Sequence, residues 1–538
     1  MLQNPHLLRS LRLLAATLTM AALLLAGGCA SLPQGVERPF SRALPASADT
    51  VLGRIAAQSS PAPDLTGFRL LPIGSFAADA RLALAQRAQR SLDLQYYHIE
   101  NDDTGRCLLR ALRDAAQRGV RVRLLLDDLY TAGIDPLLLG LAAHPNVEIR
   151  LFNPFPSGRE AFATRLIASL TDLRRINRRM HNKLFIADGA MAVAGGRNIA
   201  NEYFMRNQSA NFVDLDAFMI GALVPRLAEL FDGYWNSEAV YPLHAILPPP
   251  LPAATLREEF DQLTGPATTA PPEPPPANDV LGYGPVSGEL EDGRLGLVWA
   301  RAEAFADPPS KIRGLRPEDD PEVVALQEAM GAHYNVLGEM RRAQREIVMT
   351  TPYLVPGDSG MALMRELRGR GVRLRVLTNS LAATDEPLVH IGYKRYRVQM
   401  LQLGIDLYEL SPTRVKRNLR LGVFGSTRGR LHAKTAVIDR QTVFIGSMNF
   451  DPRSEKHNTE MAIIARSPAL AREVLRLMDL DKLQASYRVR LAPDGSERLQ
   501  WLITDEQGEQ VLTEEPDADF WTRFMLHLLE PLAPEELL

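Results

Sequence analysis

The feature that most constrains this chain is a short pattern of residues that occurs twice. In each copy a His is followed two residues later by a Lys and five residues after that by an Asp, and a Gly and an Asn come further on. Apolar and β-branched residues surround both copies and predict strands, on which residues two apart share a face. The two copies are His181, Lys183, Asp188 and Asn198 in the first half, and His432, Lys434, Asp439 and Asn449 in the second. An internal repeat of this kind predicts two similar domains.

The chemistry of the repeated residues suits a phosphodiester. One His can attack phosphorus while the other protonates the leaving oxygen. The two Lys and the two Asn can then stabilise charge on the phosphate oxygens. Each Asp completes its catalytic motif but is expected beyond the end of the strand, where a carboxylate more readily holds a turn than moves a proton. A single H-x-K would be weak support for such a site, whereas two in register are strong support.

The pair of H-x-K-x4-D motifs resembles the phospholipase D superfamily, in which two such motifs meet at one active site. The stretches SLDLQYYHIENDDTGRC, NFVDLDAFMIG and DADFWTRFMLHLLEPL are similar to the bacterial cardiolipin synthase C group, and the resemblance covers residue 65 to the end. It implies an α/β fold in which two tandem phospholipase D-like α/β domains form a pseudo-twofold pair with one shared active site.

An acidic residue follows each motif His at a distance similar to that in the same family. Asp214 lies in FVDLDAF and Glu460 lies in HNTEMAI. The resemblance implies that each carboxylate orients the motif His of its own half or of the other half, as the third member of a catalytic triad does. The alternative for both residues is a carboxylate at the edge of a strand, in solvent.

Composition divides the rest of the chain into two domains, a tether before the first and a linker between them. Residues 29–64 are rich in Pro, Ala and Ser and predict a flexible tether, whereas residues 241–285 form a Pro-rich linker with a short helix over residues 255–264. The first phospholipase D-like domain is assigned to residues 65–240, and the second, with a C-terminal extension, to residues 286–538. Both domains are predicted to contain β-α-β units with parallel strands.

The first 28 residues are predicted to be a signal peptide. Two Arg precede an uncharged apolar run that ends in small residues before Cys29. The segment resembles a bacterial lipoprotein signal, which implies that Cys29 is acylated and that the protein is anchored to the outer membrane on its periplasmic side. The alternative is an uncleaved anchor in the inner membrane, since the apolar run is long enough to span a bilayer. Cys107, the other cysteine, follows the apolar pattern of a helix and is expected in the core.

We expect a membrane-associated phosphatidyltransferase that makes cardiolipin through a phosphohistidine intermediate. In this reaction the expected acceptor is phosphatidylglycerol, and the resemblance implies phosphatidylethanolamine as one candidate donor. His181 is assigned as the nucleophile and His432 as the general acid and base, although the symmetry of the motifs also allows the reverse.

Two other functions share the same chemistry. One is a phospholipase D that hydrolyses phospholipids to phosphatidic acid. The other is a phosphodiesterase or nuclease, which the net charge of −3 and the membrane-targeting segment disfavour. The expected partners are phospholipid substrates and a membrane surface, with no metal, no cofactor and no nucleic acid, and the sequence assigns no oligomeric state.

Overall fold

The computed structural model describes residues 32–159, 163–165, 172–314, 330–417, 426–478, 480, 485–505 and 508–529. The predicted signal peptide and the lipidation site at Cys29 lie outside these residues. Within them, no helix is long and apolar enough to cross a bilayer.

The chain is built from two halves joined by a helical connection. The first half contains α1 (Val51–Ser59), β1 (Thr66–Leu71), α2 (Gly74–Arg87), β2 (Ser91–Tyr96), α3 (Asp103–Gln117), β3 (Arg121–Asp127), α4 (Asp135–Ala142), β4 (Val147–Phe152), α5 (Leu173–Ile176), β5 (Leu184–Ala187), β6 (Met191–Gly195), β7 (Ala210–Val213), β8 (Asp216–Gly221), α6 (Leu223–Trp235) and β9 (Val240–Pro242). The connection contains α7 (Leu243–Ile246), α8 (Ala253–Thr264) and α9 (Val286–Asp292).

The second half repeats this arrangement and adds elements at its end. It contains β10 (Val298–Ala306), α10 (Ala332–Arg341), β11 (Glu346–Thr350), α11 (Gly357–Gly369), β12 (Arg373–Asn379), α12 (Pro387–Gln402), β13 (Asp406–Leu410), β14 (Arg428–Leu431), β15 (Lys434–Ile438), β16 (Thr442–Gly446), α13 (Pro452–Lys456), β17 (Met461–Arg466), α14 (Pro468–Met478), β18 (Ser486–Leu491), β19 (Leu499–Asp505), β20 (Gly508–Leu512) and α15 (Phe520–Leu529).

The strands of both halves follow one order. In the first half β4, β3 and β2 are parallel, and β5, β6, β8 and β1 continue the sheet with antiparallel pairing. In the second half β13, β12 and β11 are parallel, and β15, β16, β17 and β10 continue it in the same way. Strand β1 also pairs with β10 and so links the two sheets. The repeated α/β domains confirm the predicted fold class.

The core lies in three layers. One apolar cluster packs under α2, α3 and α4 on the outer face of the first sheet, and another packs under α11 on the outer face of the second. The middle cluster takes side chains from the inner faces of both sheets together with α6 and α14, and includes Ala192, Val224, Ile445, Ile463 and Val474. Burial of apolar surface between the sheets therefore holds the two halves against each other.

The first β-α-β unit shows why the local sequence folds as it does. The carboxylate of Asp102 accepts a hydrogen bond from Gly105 N at 3.0 Å, so this residue caps α3. Leu108, Leu109 and Leu112 then face the core, and Gly119, with φ +93°, ends the helix in a left-handed conformation.

The predicted tether is an ordered strap over much of its length. Residues 38–46 lie along β3 and β4, where Arg123 donates to Ser41 O at 3.2 Å and Arg150 donates to Pro39 O at 2.6 Å. Helix α1 follows, and its Leu52 is fully buried in the core of the first half. The prediction of flexibility fails here because buried arginines of the first half bind the backbone of the strap.

The Pro-rich linker is also packed on the first half. The predicted short helix is present as α8, and its Phe260 is fully buried against α3 and α4. The thiol of Cys107 on α3 donates to Ala270 O of the linker at 3.4 Å. Cys107 is therefore half-buried beneath the linker, not a core residue as predicted.

Candidate active site

Each motif His is bound by a carboxylate from the opposite half. Nδ1 of His432 lies 2.6 Å from Oδ2 of Asp214, and Nδ1 of His181 lies 2.9 Å from Oε2 of Glu460. All four side chains are buried. The sequence left open whether each acid orients the His of its own half or of the other, and the geometry pairs each acid with the other half. Ser447 and Ser454 also donate to Glu460 and fix its orientation.

Short stretches of parallel backbone pairing set up both His–acid pairs. Strand β7 of the first half pairs with β14 of the second, and in this register Val213 is opposite Leu431. The next residues are Asp214 and His432. In the other pair a parallel bridge joins Met180 to Thr459, the residues before His181 and Glu460. The two halves are thus joined by backbone pairing next to the reacting groups.

The two motif lysines occupy equivalent places. Nζ of Lys183 donates to the carbonyl of His181 and Nζ of Lys434 donates to that of His432, each at 2.6 Å. The expected strand begins at Leu184 in the first copy and at Lys434 in the second, so each His lies just before its strand. His and Lys are placed together at the carboxyl ends of the parallel strands, which we call the catalytic edge.

The two motif asparagines lie at the same edge. Asn198 and Asn449 are buried, and among the described residues the side-chain oxygen of each has no hydrogen-bond partner. Nδ2 of Asn198 donates to the hydroxyl of Tyr203 at 3.0 Å. A buried polar atom without a partner is costly, so each of these oxygens requires an explanation, such as a water molecule or a role at a functional site.

Burial controls the charge state of the site. It lowers the pKa of His181 to about 4, and burial followed by the nearby ammonium of Lys434 lowers the pKa of His432 to about 3. Burial alone would raise the pKa of Asp214, but the attraction of His432 outweighs it and brings the pKa to about 2. At neutral pH both imidazoles are therefore neutral, and each donates its Nδ1 proton to an ionised acid. This tautomer leaves Nε2 with a free lone pair.

Burial also acts on the two ammonium groups. It lowers the pKa of Lys434 to about 8 and holds the pKa of Lys183 well below its usual value. A bound anion would favour the charged form of both lysines. The site is thus suited electrostatically to a negatively charged ligand.

The two motif aspartates lie at the far ends of the strands from the histidines. The carboxylate of Asp188 accepts hydrogen bonds from the backbone N–H groups of Gln89, Arg90 and Ser91, at 2.8 to 3.1 Å. Asp439 accepts equivalent bonds from three consecutive N–H groups at the start of β11. Both residues have positive φ, 52° and 53°, in the turn between two strands. Each Asp thus lies in a turn and binds the backbone at the start of a neighbouring strand.

A family model described as cardiolipin synthase, PLD-like domain, matches residues 82–235 and 336–481, one match in each half. The chain belongs to the phospholipase D superfamily. It is 39% identical to cardiolipin synthase C of Escherichia coli (strain K12) over 469 residues, which cover 85% of this chain and 93% of that protein. It is 24% identical to cardiolipin synthase A of Pseudomonas fluorescens over 81% of this chain and 72% of that protein.

The phosphatidylserine synthase of Haemophilus influenzae Rd KW20 is a solved structure of similar fold. Its match has a TM-score of 0.53 and covers 90% of this chain and all of that one, at 13% sequence identity. This likeness shows the fold alone.

Two supporting residues of this phospholipase D-type site were not predicted. Asp127, at the end of β3, accepts a hydrogen bond from Met180 N at 2.8 Å, directly before His181. Asn379, at the end of β12, accepts one from Leu431 N at 2.8 Å, directly before His432. The two residues occupy equivalent strand ends in the repeat, and a search for polar residues at both ends would have found them.

Aromatic rings line both histidines. The ring of Tyr97 makes an edge contact with His181 at 4.9 Å between centroids, and Tyr203 and Phe212 each lie 5.0 Å from His432. These rings pack against the imidazoles and contribute to their burial. Sequence reasoning missed them because they are outside the motifs. Among the described residues, no cluster of three or more His, Cys, Asp or Glu is arranged to hold a metal ion.

Proposed function

We propose that this protein is a phosphatidyltransferase that makes cardiolipin from two phospholipids. The observation that carries the proposal is the reciprocal arrangement of two neutral histidines, each held by a carboxylate of the opposite half, beside two buried lysines. A group transfer in two steps needs one nucleophile and one proton carrier, and this site supplies both.

In the first step Nε2 of His181 attacks the phosphorus of the donor, for which we propose phosphatidylethanolamine. The bond from phosphorus to the ethanolamine oxygen breaks, and His432 gives that oxygen a proton. The phosphate anion favours the protonated form of His432, because a nearby negative charge raises the pKa of an imidazole. Asp214 stabilises the imidazolium. The product is a phosphohistidine that carries the phosphatidyl group.

In the second step a hydroxyl of phosphatidylglycerol attacks the phosphohistidine. His432 takes the proton of that hydroxyl, and His181 leaves as a neutral imidazole while Glu460 keeps its orientation. Lys183, Lys434, Asn198 and Asn449 bind the phosphate oxygens in both steps. The exchange forms one phosphodiester for each one broken, so it needs no external energy source.

The identity of the substrates is supported by the relatives. Cardiolipin synthase C of Escherichia coli is similar over nearly the whole length of both chains. We further propose that the protein is anchored as a lipoprotein on the periplasmic side of the outer membrane, on the basis of the N-terminal sequence that ends at Cys29.

The test is mass spectrometry of lipids after incubation of the purified protein with vesicles of phosphatidylethanolamine and phosphatidylglycerol, with a chelator present. We expect cardiolipin and free ethanolamine. His181→Ala and His432→Ala should each lower the yield at least about a thousandfold. His244→Ala, which removes an exposed His on α7, is the matched control and should keep full activity.

Two results would overturn the proposal. Phosphatidic acid as the main product would make the protein a hydrolase. Full activity in His432→Ala would remove this residue from the reaction.

A further inference from the structure

Helix α15 exposes a continuous apolar face that no described part of the chain covers. Phe520 is 73% exposed, Trp521 67%, Phe524 45% and Leu528 58%. The three aromatic rings contact one another, with centroids 5.5 to 6.4 Å apart. Contiguous exposed apolar patches of this kind mark a surface that binds something.

The helix is fixed to the protein by its opposite side. Leu526 is buried against Leu381 and Ile391, and the segment before the helix is held by Asp517. The carboxylate of Asp517 accepts hydrogen bonds from Ser411 at 2.7 Å and Tyr487 at 2.6 Å. The exposed rings are therefore held in place by an anchored helix.

The anchor points of α15 lie at the catalytic edge. Ser411 directly follows the carboxyl end of β13. Leu381 lies two residues after Asn379, which ends β12 and binds the backbone before His432. The exposed face of α15 thus borders the same edge of the molecule as the motif histidines.

The strap reaches this edge from the other half. Its contacts move along the first sheet as the residue numbers fall: Arg42 O binds Arg121 at the start of β3, whereas Arg38 binds Val240 O, opposite Phe152 at the end of β4. The chain that leads back to the predicted membrane anchor therefore leaves the fold at the catalytic edge. Tyr130, 41% exposed, lies on the same edge and packs on Tyr97, which contacts His181.

We propose that α15 docks on a phospholipid bilayer, with Phe520, Trp521, Phe524 and Leu528 inserted among the lipid chains. A short helix with an apolar face lies in the plane of the interface, and Trp prefers the boundary between chains and headgroups. Together with the exit of the strap, this contact turns the catalytic edge toward the membrane. The proposal deepens the proposed function, because a lipid substrate must enter the cleft from a bilayer.

The test uses the emission of Trp521 in the full chain, reconstituted in vesicles of phosphatidylethanolamine and phosphatidylglycerol with brominated acyl chains. Trp235 and Trp501 are buried and Trp299 is half-buried, so Trp521 is the tryptophan most open to an outside quencher. We expect the brominated chains to quench more than about half of the Trp521 emission. Trp521→Phe keeps an aromatic ring on the helix and removes only the reporter, so the quenched component should disappear.

A matched pair of variants distinguishes docking of α15 on the bilayer from attachment of the protein through its N-terminal segment alone. Phe524→Ser should lower the quenching of Trp521 at least about twofold, although the N-terminal segment still holds the protein on the vesicle. Leu251→Ser, which changes an exposed apolar residue of the linker, should leave it unchanged. The same quenching is expected in His181→Ala, so the docking can be correct even if the proposed reaction is not.

Two results would overturn the docking proposal. Equal quenching of Trp521 by aqueous iodide with and without vesicles would place the helix in water. If neither the brominated chains nor iodide quench Trp521, and sedimentation shows a dimer, a second copy of the chain covers α15.

Discussion

The carboxylate of Asp214 lies 2.6 Å from Nδ1 of His432, although these residues belong to opposite halves of the chain. Glu460 binds His181 in the same manner in the other direction. Because each half supplies a His to one pair and an acid to the other, neither half contains a complete pair by itself. The site is assembled only when the two sheets pack together.

Asp214→Asn tests whether the reaction needs the carboxylate that orients His432, because the variant keeps His432 itself. A neutral amide stabilises the positive charge of the His432 imidazolium less than a carboxylate does, and it favours the wrong tautomer of the imidazole. We therefore expect the rate of phosphatidyl transfer to fall by about a thousandfold to ten thousandfold. The measurement is initial turnover on labelled phosphatidylglycerol vesicles, at protein concentrations corrected for folded fraction. Glu409→Gln changes another buried carboxylate, bound by Arg397 and Trp501 away from the histidines, and should keep turnover per folded molecule. A loss of less than about tenfold in Asp214→Asn would argue against the orienting role.

Acid should destabilise the folded protein through His432. Its pKa is about 3 in the folded state and about 6.5 in the unfolded state. Below pH 6.5 the unfolded chain therefore binds a proton that the folded chain does not, so the stability is complete above pH 6.5 and falls as the pH is lowered. By pH 5 this one residue costs about 2 kcal/mol. Thermal melts at pH 8 and pH 5 should show a smaller loss for His432→Gln than for the unchanged protein, and parallel losses would contradict the lowered pKa.

The sequence was sufficient to predict the two repeated domains and the close placement of each His with its Lys. The spacing of His181 and Lys183 recurs at His432 and Lys434, and each pair lies together as predicted, although each His lies just before its strand and not within it. The crossed pairing could not be predicted, since Asp214 and Glu460 follow their own His at comparable distances. The partners are selected by the register of β7 on β14 and by the bridge that precedes His181 and Glu460. Local patterns describe neighbours along the chain, whereas this choice depends on the packing of two sheets.

The ordered strap was missed for a related reason. Composition rich in Pro, Ala and Ser describes a segment that does not form a core by itself. It does not reveal that Arg123 and Arg150, far away in the sequence, bind the carbonyls of Ser41 and Pro39. Buried arginines inside strands were the available signal, because a buried cation needs hydrogen-bond acceptors.

Asp188→Ala and Asp439→Ala should affect stability and leave the chemistry in place. Each carboxylate binds three consecutive backbone N–H groups, and removal of a buried acceptor leaves these groups unsatisfied at a cost of about 1–3 kcal/mol. Asp188 is 1% exposed whereas Asp439 is half-buried, so the first change should lower the melting temperature more. Turnover per folded molecule should stay within about threefold of the unchanged protein. A hundredfold loss of turnover at an unchanged melting temperature would instead show that these carboxylates take part in the reaction.

The strap should contribute to the stability of the first half. A flexible tether over residues 29–64 would leave Leu52 exposed to solvent. In the structure Leu52 is fully buried, because α1 packs it into the core next to β6 and β8. Leu52→Ala should therefore destabilise the fold by about 2–5 kcal/mol, as truncation of a buried Leu does. Arg54→Ala, on the exposed side of the same helix, is the matched control and should change the free energy of unfolding by less than about 0.5 kcal/mol. Denaturant melts of both variants measure the difference. Equal free energies of unfolding for the two variants would mean that α1 contributes no stability and serves only as part of a tether.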